Sequence, residues 1–406
     1  MYLKQILFLA VTIASVSCWA QDAYLVEALR SNPEVEAAYQ NYEAAMRKAP
    51  QVRALDEPVA SYSEFLSSVQ TRTGPQERVF SISQALPWPG VLKLKEKVAD
   101  ANARVAYFQY ETKRREVIEK VGLATIEYAY LKEATDRASE NLGLIRQLGP
   151  VVDEKVRTGG SLSNRLRLDV ELAMAEQEFS TLTDQRPGLD AQLKANLGRE
   201  PDSETIPWPH LPSRAPALMP LDRIKGEIQS HHPRIHLADA FVEKAERGEA
   251  LADKSNKPSF TLGANAIDIG NGGETASSVM VGVKLPLRRE KYRAEREEAE
   301  AMTRSAGASR EAIRQMLIAE AIRYYAAQQE SIDRLRNYDN KLIPSAEQAV
   351  ELTKEDFRND KASLTDLIES ERVLLDLRLM RARALADAHK AAWQIRVLTE
   401  PYSSEK

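Results

Sequence analysis

The sequence predicts a mainly α-helical protein with a small β part, in which one strand-strand-long helix-long helix unit occurs twice. Three observations lead to this fold class: the chain matches itself at a nearly constant offset, paired segments alternate between apolar and polar residues, and each pair precedes long runs of helix-forming residues. The first unit is predicted at 21–200 and the second at 221–406. A proline-rich, irregular connection at 201–220 joins them.

The duplication rests on matched pairs that keep their order over more than a hundred residues. The clearest matches are Asn32-Pro33 with His232-Pro233, Leu86-Pro87 with Leu285-Pro286, and Ser161-Leu162 with Ser363-Leu364. A chance likeness would not hold its register over such a distance, so the units are copies of one plan.

Four strands are predicted from residues that alternate with a period of two. Phe260, Leu262 and Ala264, for example, alternate with small and polar neighbours ahead of a glycine-rich turn. The predicted strands cover about 58–67, 78–86, 258–268 and 278–286.

Each strand pair is followed by an outgoing and a returning helix. Val91–Gln147 holds no proline and at about 1.5 Å per residue could run roughly 80 Å; Glu290–Leu342 repeats it. Leu162–Leu197 and Leu364–Thr399 carry apolar stripes at three- and four-residue steps, as in coiled coils. Pro187-Gly188 predicts a kink in the first returning helix.

Residues 1–20 have the parts of a secretory signal peptide: Lys4, an apolar run at 6–16, and small residues before Gln21. An alternative interpretation makes Cys18 a lipid acceptor, since Val16-Ser17 suits a bacterial lipobox. Cys18 is the only cysteine, so a cut after Ala20 would exclude disulfides and thiolate metal sites.

The composition and motifs exclude several classes of function. With 56 Lys+Arg against 60 Asp+Glu the net charge is -4, so we expect no nucleic-acid partner. The sequence has no signature of a catalytic triad, no phosphate-binding glycine loop and no metal-ligand spacing, so we expect neither an enzyme, a cofactor nor a bound metal. His231, His232 and His236 are interpreted as structural or surface residues.

An exported chain with amphipathic strands and no apolar helix indicates an outer-membrane barrel, because only helices and closed barrels satisfy their backbone groups in lipid. Known barrels begin at about eight strands, so four must be completed by partner chains.

This organisation resembles the TolC family of outer-membrane efflux proteins. The similar residues are Leu25–Leu29 before Asn32-Pro33, Ser83–Pro87, and Ala362–Leu367. The resemblance implies a homotrimer with a twelve-stranded barrel and a twelve-helix periplasmic tube in a Gram-negative outer membrane. It also implies an exit duct served by a periplasmic adaptor and an inner-membrane pump. The Pro87–Gly90 run is similar to the heavy-metal efflux branch.

The resemblance further implies that hairpin tips at 157–163 and 357–364 dock onto the adaptor. The residues concerned are Gly159, Gly160, Ser161 and Leu162 in the first tip, and Asp360, Lys361, Ser363 and Leu364 in the second. Asp360 stands where the family usually has glycine. The alternative is that these are only turn and cap residues.

Asp366 and Glu369 match a pair of acids that rings the inner aperture in family members. Their spacing of three places both carboxylates on one helical face, whereas Asn164 and Arg167 occupy the equivalent positions of the first unit. The alternative interpretation is that acids near a helix start simply favour the helix dipole.

Two other functions compete with the efflux duct. One is a duct for type I protein secretion, because drugs, metal ions and polypeptides leave through similar tubes. The other is a soluble periplasmic coiled-coil adaptor, which usually has one hairpin per chain, whereas this chain has two.

Overall fold

The computed structural model describes residues 20–159, 161–271, 273–359 and 361–400. Residues 1–19 of the predicted signal peptide, including Cys18, lie outside the described residues. The same holds for the tip residues Gly160 and Asp360. Within them the protein is mainly helical with one small antiparallel sheet, as the sequence predicts. None of the described helices combines the length and apolar character needed to cross a membrane.

Backbone contacts divide the chain into two compact units. The sheet unit comprises residues 37–113 and 228–318. The tip unit comprises the described residues up to 36, together with 114–227 and 319–400.

Short helices open each repeat. The first repeat begins with α1 (Ala20–Ser31), α2 (Pro33–Met46) and α3 (Lys48–Arg53), and the second with α7 (Leu221–His231) and α8 (Pro233–Ala252). The matched Asn32 and His232 each accept a hydrogen bond from the backbone two residues on, at 2.8 Å and 3.2 Å. Both therefore cap a helix whose first residue is proline, which needs no donor there.

The sheet lies in the sheet unit and has the order β1-β2-β3-β4, with every neighbour antiparallel. Its strands are β1 (Val59–Thr71), β2 (Gly74–Leu86), β3 (Ser259–Ile269) and β4 (Ala276–Lys284). Each repeat thus supplies one hairpin, and β2 pairs with β3 to join the repeats in one sheet.

The long helices begin after the strands. In the first repeat α4 spans Val91–Arg157, and the chain returns through α5 (Leu162–Asp184) and α6 (Arg186–Leu197). In the second, α9 (Arg289–Asn337) continues through a π-helical turn (Tyr338–Leu342) into α10 (Ile343–Arg358), and α11 (Leu364–Thr399) returns.

Two prolines show how far the sequence predicts helix ends. The returning helix of the first repeat is interrupted at Gln185, two residues before Pro187, as the kink prediction requires. By contrast, α4 continues past Gln147 to Arg157, ten residues beyond the predicted end, and Pro150 lies inside it.

The irregular connection between the repeats is fixed to the tip unit by buried polar groups. Asp190 and Lys194 form an ion pair at 2.7 Å with side chains 7% and 3% exposed. The Asp190 carboxylate also accepts the Ile206 amide at 2.8 Å, and the Tyr128 hydroxyl donates to the Ile206 carbonyl at 3.1 Å. The ion pair and the hydrogen bond to the Asp190 carboxylate offset the free-energy cost of burying the two charges.

Candidate functional site

One face of the sheet is apolar and exposed. In register across the strands lie Ala60, Ile82, Ala264 and Val279, followed by rows containing Leu262 with Val281 and Phe260 with Val283. Val279 is 82% exposed and Val281 67%. A sheet face of this kind is covered by lipid or by another protein surface.

The opposite face is polar. Ser61, Ser81, Asn265 and Ser278 are successive partners in one row across all four strands. The Ser61 and Ser81 hydroxyls lie 2.6 Å apart, and the Asn265 amide donates to the Ser278 hydroxyl at 3.1 Å. The sheet therefore has one apolar and one polar face.

Both outer strands of the sheet have open edges. Within the described residues, β1 pairs only with β2 and β4 pairs only with β3. Unpaired edges of this length are templates for another strand.

The first hairpin tip lies in the tip unit between α4 and α5. Gly159 has φ +109°, a conformation that a residue with a Cβ atom rarely adopts. Ser161 caps α5, because its side chain accepts a hydrogen bond from the Ser163 amide at 3.2 Å. Leu162 follows and is 63% exposed.

The second tip has a more extensive set of hydrogen bonds. Lys361 and Ala362 both donate their amides to the Asp356 carbonyl, at 2.8 and 3.2 Å. Ser363 and Asp366 form a capping box: the Asp366 amide donates to the Ser363 hydroxyl oxygen at 3.2 Å, and the Ser363 amide donates to the Asp366 carboxylate at 2.9 Å. Ser363 Oγ also donates to that carboxylate at 2.7 Å.

A shared apolar core joins the two hairpins beside their tips. Leu364, 1% exposed, packs with Leu367 and Ile368 of the same helix in one cluster. The first hairpin contributes Leu142, Ile145, Val152 and Leu168. Lys155 strengthens this junction, donating to the Phe357 carbonyl at 2.8 Å with its ammonium 4.1 Å from the centre of the Phe357 ring.

An exposed apolar stripe follows the first tip along α5. Leu162, Leu166, Val170 and Met174 are spaced by four residues and are 63%, 60%, 58% and 48% exposed. Leu166, Val170 and Met174 were not singled out from the sequence. Their four-residue spacing is the signal that could have revealed this second face.

A groove of about 990 Å³ lies between the two hairpins of the tip unit. Apolar lining from Leu144, Val151 and Met174 meets charged side chains such as Glu351 and Lys354. A mixed surface of this kind is typical of a site for another protein.

Asp366 and Glu369 lie on the exposed surface at the start of α11. Hydrogen bonds from the Ser363 hydroxyl, and then from its backbone amide, hold the pKa of Asp366 below its usual value. Within the described residues Glu369 is left without a cationic partner. Arg167, the first repeat's equivalent of Glu369, donates a hydrogen bond to the Thr365 hydroxyl.

The structure gives no sign of metal ligation by the histidines. Among the described residues no group of three or more His, Cys, Asp or Glu side chains is placed to hold an ion. His232 is buried and acts as a helix cap.

Residues 226–399 match the model of the outer membrane efflux protein family. This part of the chain is therefore similar to outer membrane efflux proteins. This match covers most of the second repeat, including β3, β4 and the second hairpin. No curated protein matches the chain in sequence.

Solved structures of outer-membrane proteins and channels share the fold over nearly the whole chain. The outer membrane protein VceC from Vibrio cholerae is 18% identical with a TM-score of 0.78, over 95% of this chain and 97% of its own. The outer-membrane channel OprN is 16% identical with a TM-score of 0.80, over 94% and 90%. The Campylobacter jejuni CmeC outer membrane channel is 13% identical with a TM-score of 0.79, over 93% and 85%.

Proposed function

We propose that this protein is the outer-membrane exit duct of a tripartite efflux system. In this role it passively conducts substrates that an inner-membrane pump and a periplasmic adaptor deliver to it. The observation that carries the proposal is the two-faced sheet, whose apolar face suits lipid and whose polar face suits a water-filled passage. The proposal assigns no enzymatic step to the chain.

Three copies of the chain would complete the barrel and cover the helices. The open edges of β1 and β4 suit each other, because pairing them between copies leaves no edge unpaired. Beyond the tip, the exposed α5 side chains of Leu166, Val170 and Met174 likewise need an apolar partner, which a second copy supplies.

The pairing of edges is tested by joining copies through cysteines. A chain with Ser63→Cys on β1 and Ser278→Cys on β4, treated with a thiol-thiol linker, should form a ladder that stops at three copies. Ser63→Cys alone is the matched control and should stay uncrosslinked. A ladder that continues beyond three, or none at all, would contradict the closed trimer.

Conduction is tested with the purified protein in planar lipid bilayers. Stable single-channel currents, together with extraction from membranes only by detergent, are the expected results. A water-soluble monomer that produces no current would reject the duct and favour the soluble adaptor.

The groove and the tips of the hairpins are the proposed adaptor-docking surface. Leu162 supports this because it is exposed beside the tip, and the mixed lining of the groove suits a helical partner. Leu162→Glu should abolish capture of the adaptor by the purified channel, while leaving channel currents unchanged. Leu352→Glu, at a residue equally exposed on α10, is the control.

Asp366 and Glu369 are proposed to line the inner aperture. In three copies, the carboxylates of Asp366 and Glu369 would attract cations, and their side chains would narrow the passage. Asp366→Asn with Glu369→Gln removes the charges but leaves an acceptor for the capping box, so it should raise conductance and abolish block by multivalent cations. The control Ser363→Ala keeps both charges and weakens the cap, so its conductance should stay unchanged. If conductance rises in this variant, opening results from fraying of the helix start and not from loss of the charges.

A further inference from the structure

Basic side chains are concentrated at the end of the sheet from which the long helices continue, here called the helix end. The registers bring the start of β1, the end of β2, the start of β3 and the end of β4 to this one end. The chain segments that continue from these strand ends carry six bases, here called the basic collar: Lys93, Lys95, Lys97, Lys257, Arg288 and Arg289.

The collar side chains are exposed, and among the described residues no ion pair neutralises their positive charge. Nearby bases form ion pairs, such as Arg53 with Glu96 at 3.2 Å and Lys291 with Glu295 at 3.5 Å. Within the described part of the chain, no collar residue has an acidic partner. Apart from acids that already form ion pairs, the acids of these segments are Asp56, Glu57, Asp100 and Glu290, which are fewer than the six collar bases.

The opposite end of the sheet has the reverse balance of charge. There Glu64, Glu77, Asp268 and Glu274 outnumber Arg72 and Arg78, and Arg78 already pairs with Asp268 at 3.5 Å. The chain as a whole has a net charge of -4. The collar is therefore a local feature of one end of the sheet, and the general composition does not account for it.

Apolar side chains lie beside the collar in both repeats, and those of the second repeat are exposed. Leu285 and Leu287, which directly precede Arg288, are 61% and 80% exposed. At the matched place of the first repeat, Trp88 stacks on Phe260 with ring centres 6.1 Å apart and precedes the three collar lysines. Apolar groups next to bases are typical of a membrane interface, where the former enter the lipid and the latter stay at the headgroups.

We propose that the basic collar binds the phosphate groups of anionic phospholipids in the membrane leaflet on the helix side of the sheet. This inference rests on the proposed function, because it requires the apolar sheet face to lie in a membrane. Each base near an anionic surface strengthens binding by about fivefold, and three copies would bring three collars to one ring.

The test compares lipids retained by the purified full-length protein. The protein in detergent is given equal amounts of phosphatidylglycerol and phosphatidylethanolamine, and bound lipids are counted by native mass spectrometry. The wild-type protein should retain phosphatidylglycerol preferentially. Neutralising Lys93, Lys95, Lys97, Arg288 and Arg289 to Gln should lower that preference by about tenfold or more.

Matched controls separate this inference from general charge effects and from the proposed function. Arg72→Gln with Arg323→Gln and Lys341→Gln removes exposed bases elsewhere and should leave the preference unchanged. In about 1 M salt, where the Debye length is roughly 3 Å, the wild-type preference should disappear, which tests the collar without any substitution.

Channel currents recorded on the same samples distinguish the two proposals. A protein that conducts normally but shows no preference for phosphatidylglycerol overturns the collar and leaves the duct intact. In a second competition that offers equal amounts of lipid A and phosphatidylglycerol, preference for lipid A would also overturn it, by placing the bases in the opposite leaflet. A protein that neither inserts nor conducts overturns the duct itself.

Discussion

The two hairpin tips come from matched Ser-Leu pairs, yet they bury their leucines to opposite extents. Leu364 is 1% exposed in the shared core, whereas Leu162 is 63% exposed and begins an uncovered stripe. The second tip also has a capping box, while the first has a serine cap without a reciprocal hydrogen bond. The matched tips therefore differ in what they contact: the second packs into the core between the hairpins, and the first leaves its leucine exposed.

The largest effect of this difference is expected from the leucines themselves. Leu364→Ala should destabilise the tip unit by about 3 kcal/mol, since it removes a fully buried side chain from a packed core. Leu162→Ala should change stability by less than about 0.5 kcal/mol, as at other exposed positions. Urea unfolding followed by helical circular dichroism measures both. Equal losses would show that Leu162 is covered within the assembled protein.

The next largest effect is expected from the caps. Ser363→Ala should cost about 1 kcal/mol because it removes the hydroxyl that accepts from the Asp366 amide and donates to the Asp366 carboxylate. Ser161→Ala should cost about 0.5 kcal/mol because the cap of α5 has no charged partner and no reciprocal hydrogen bond. Amide hydrogen exchange over the first turns of α11 and α5 resolves the two. Faster exchange at α5 than at α11 after the matched changes would reverse the assignment of roles.

A smaller effect is expected at the contact between the hairpins. Lys155→Met keeps the apolar stem but loses the hydrogen bond to the Phe357 carbonyl and the cation above its ring, at a cost of about 0.5–1 kcal/mol. Hydrogen exchange near the end of α10 should increase, with little change at α5. Lys155→Arg, which retains a donor and a charge, should largely preserve protection, and failure to do so would indicate that the lysine stem carries the contact.

Much of this comparison could be predicted from the sequence, but its central contrast could not. The alternation around Phe260 and Leu262 predicts a strand, and Ser161 and Ser363 predict helix caps, because both signals are local. The three-residue spacing of Ser363 and Asp366 is also the spacing that a capping box requires. The burial of Leu364 depends on Leu142 and Val152, more than two hundred residues away in the chain, so the matched Ser-Leu pairs could not reveal it.

Pro150 illustrates the same limit for helix ends. Proline removes one hydrogen bond and usually ends a helix, and the outgoing helix was predicted to stop before it. The structure continues α4 to Arg157, with Val152 buried beyond the proline. Tertiary packing of the last turns thus outweighs the local cost. The basic collar was equally hidden, because its residues come from separate segments that only the sheet register brings to one end.

The smallest expected difference between the tips concerns pH. The pKa of Asp366 is lowered in the folded protein by its hydrogen bonds to Ser363, so the capping box stabilises α11 above the unfolded pKa and loses this contribution as the pH falls through the lowered folded value. The cap of α5 is made by serines and does not titrate. Hydrogen exchange, corrected for its intrinsic pH dependence, should therefore show α11 losing protection in acid while α5 keeps it. Asp366→Asn should remove this pH dependence; its persistence in that variant would assign it to another group.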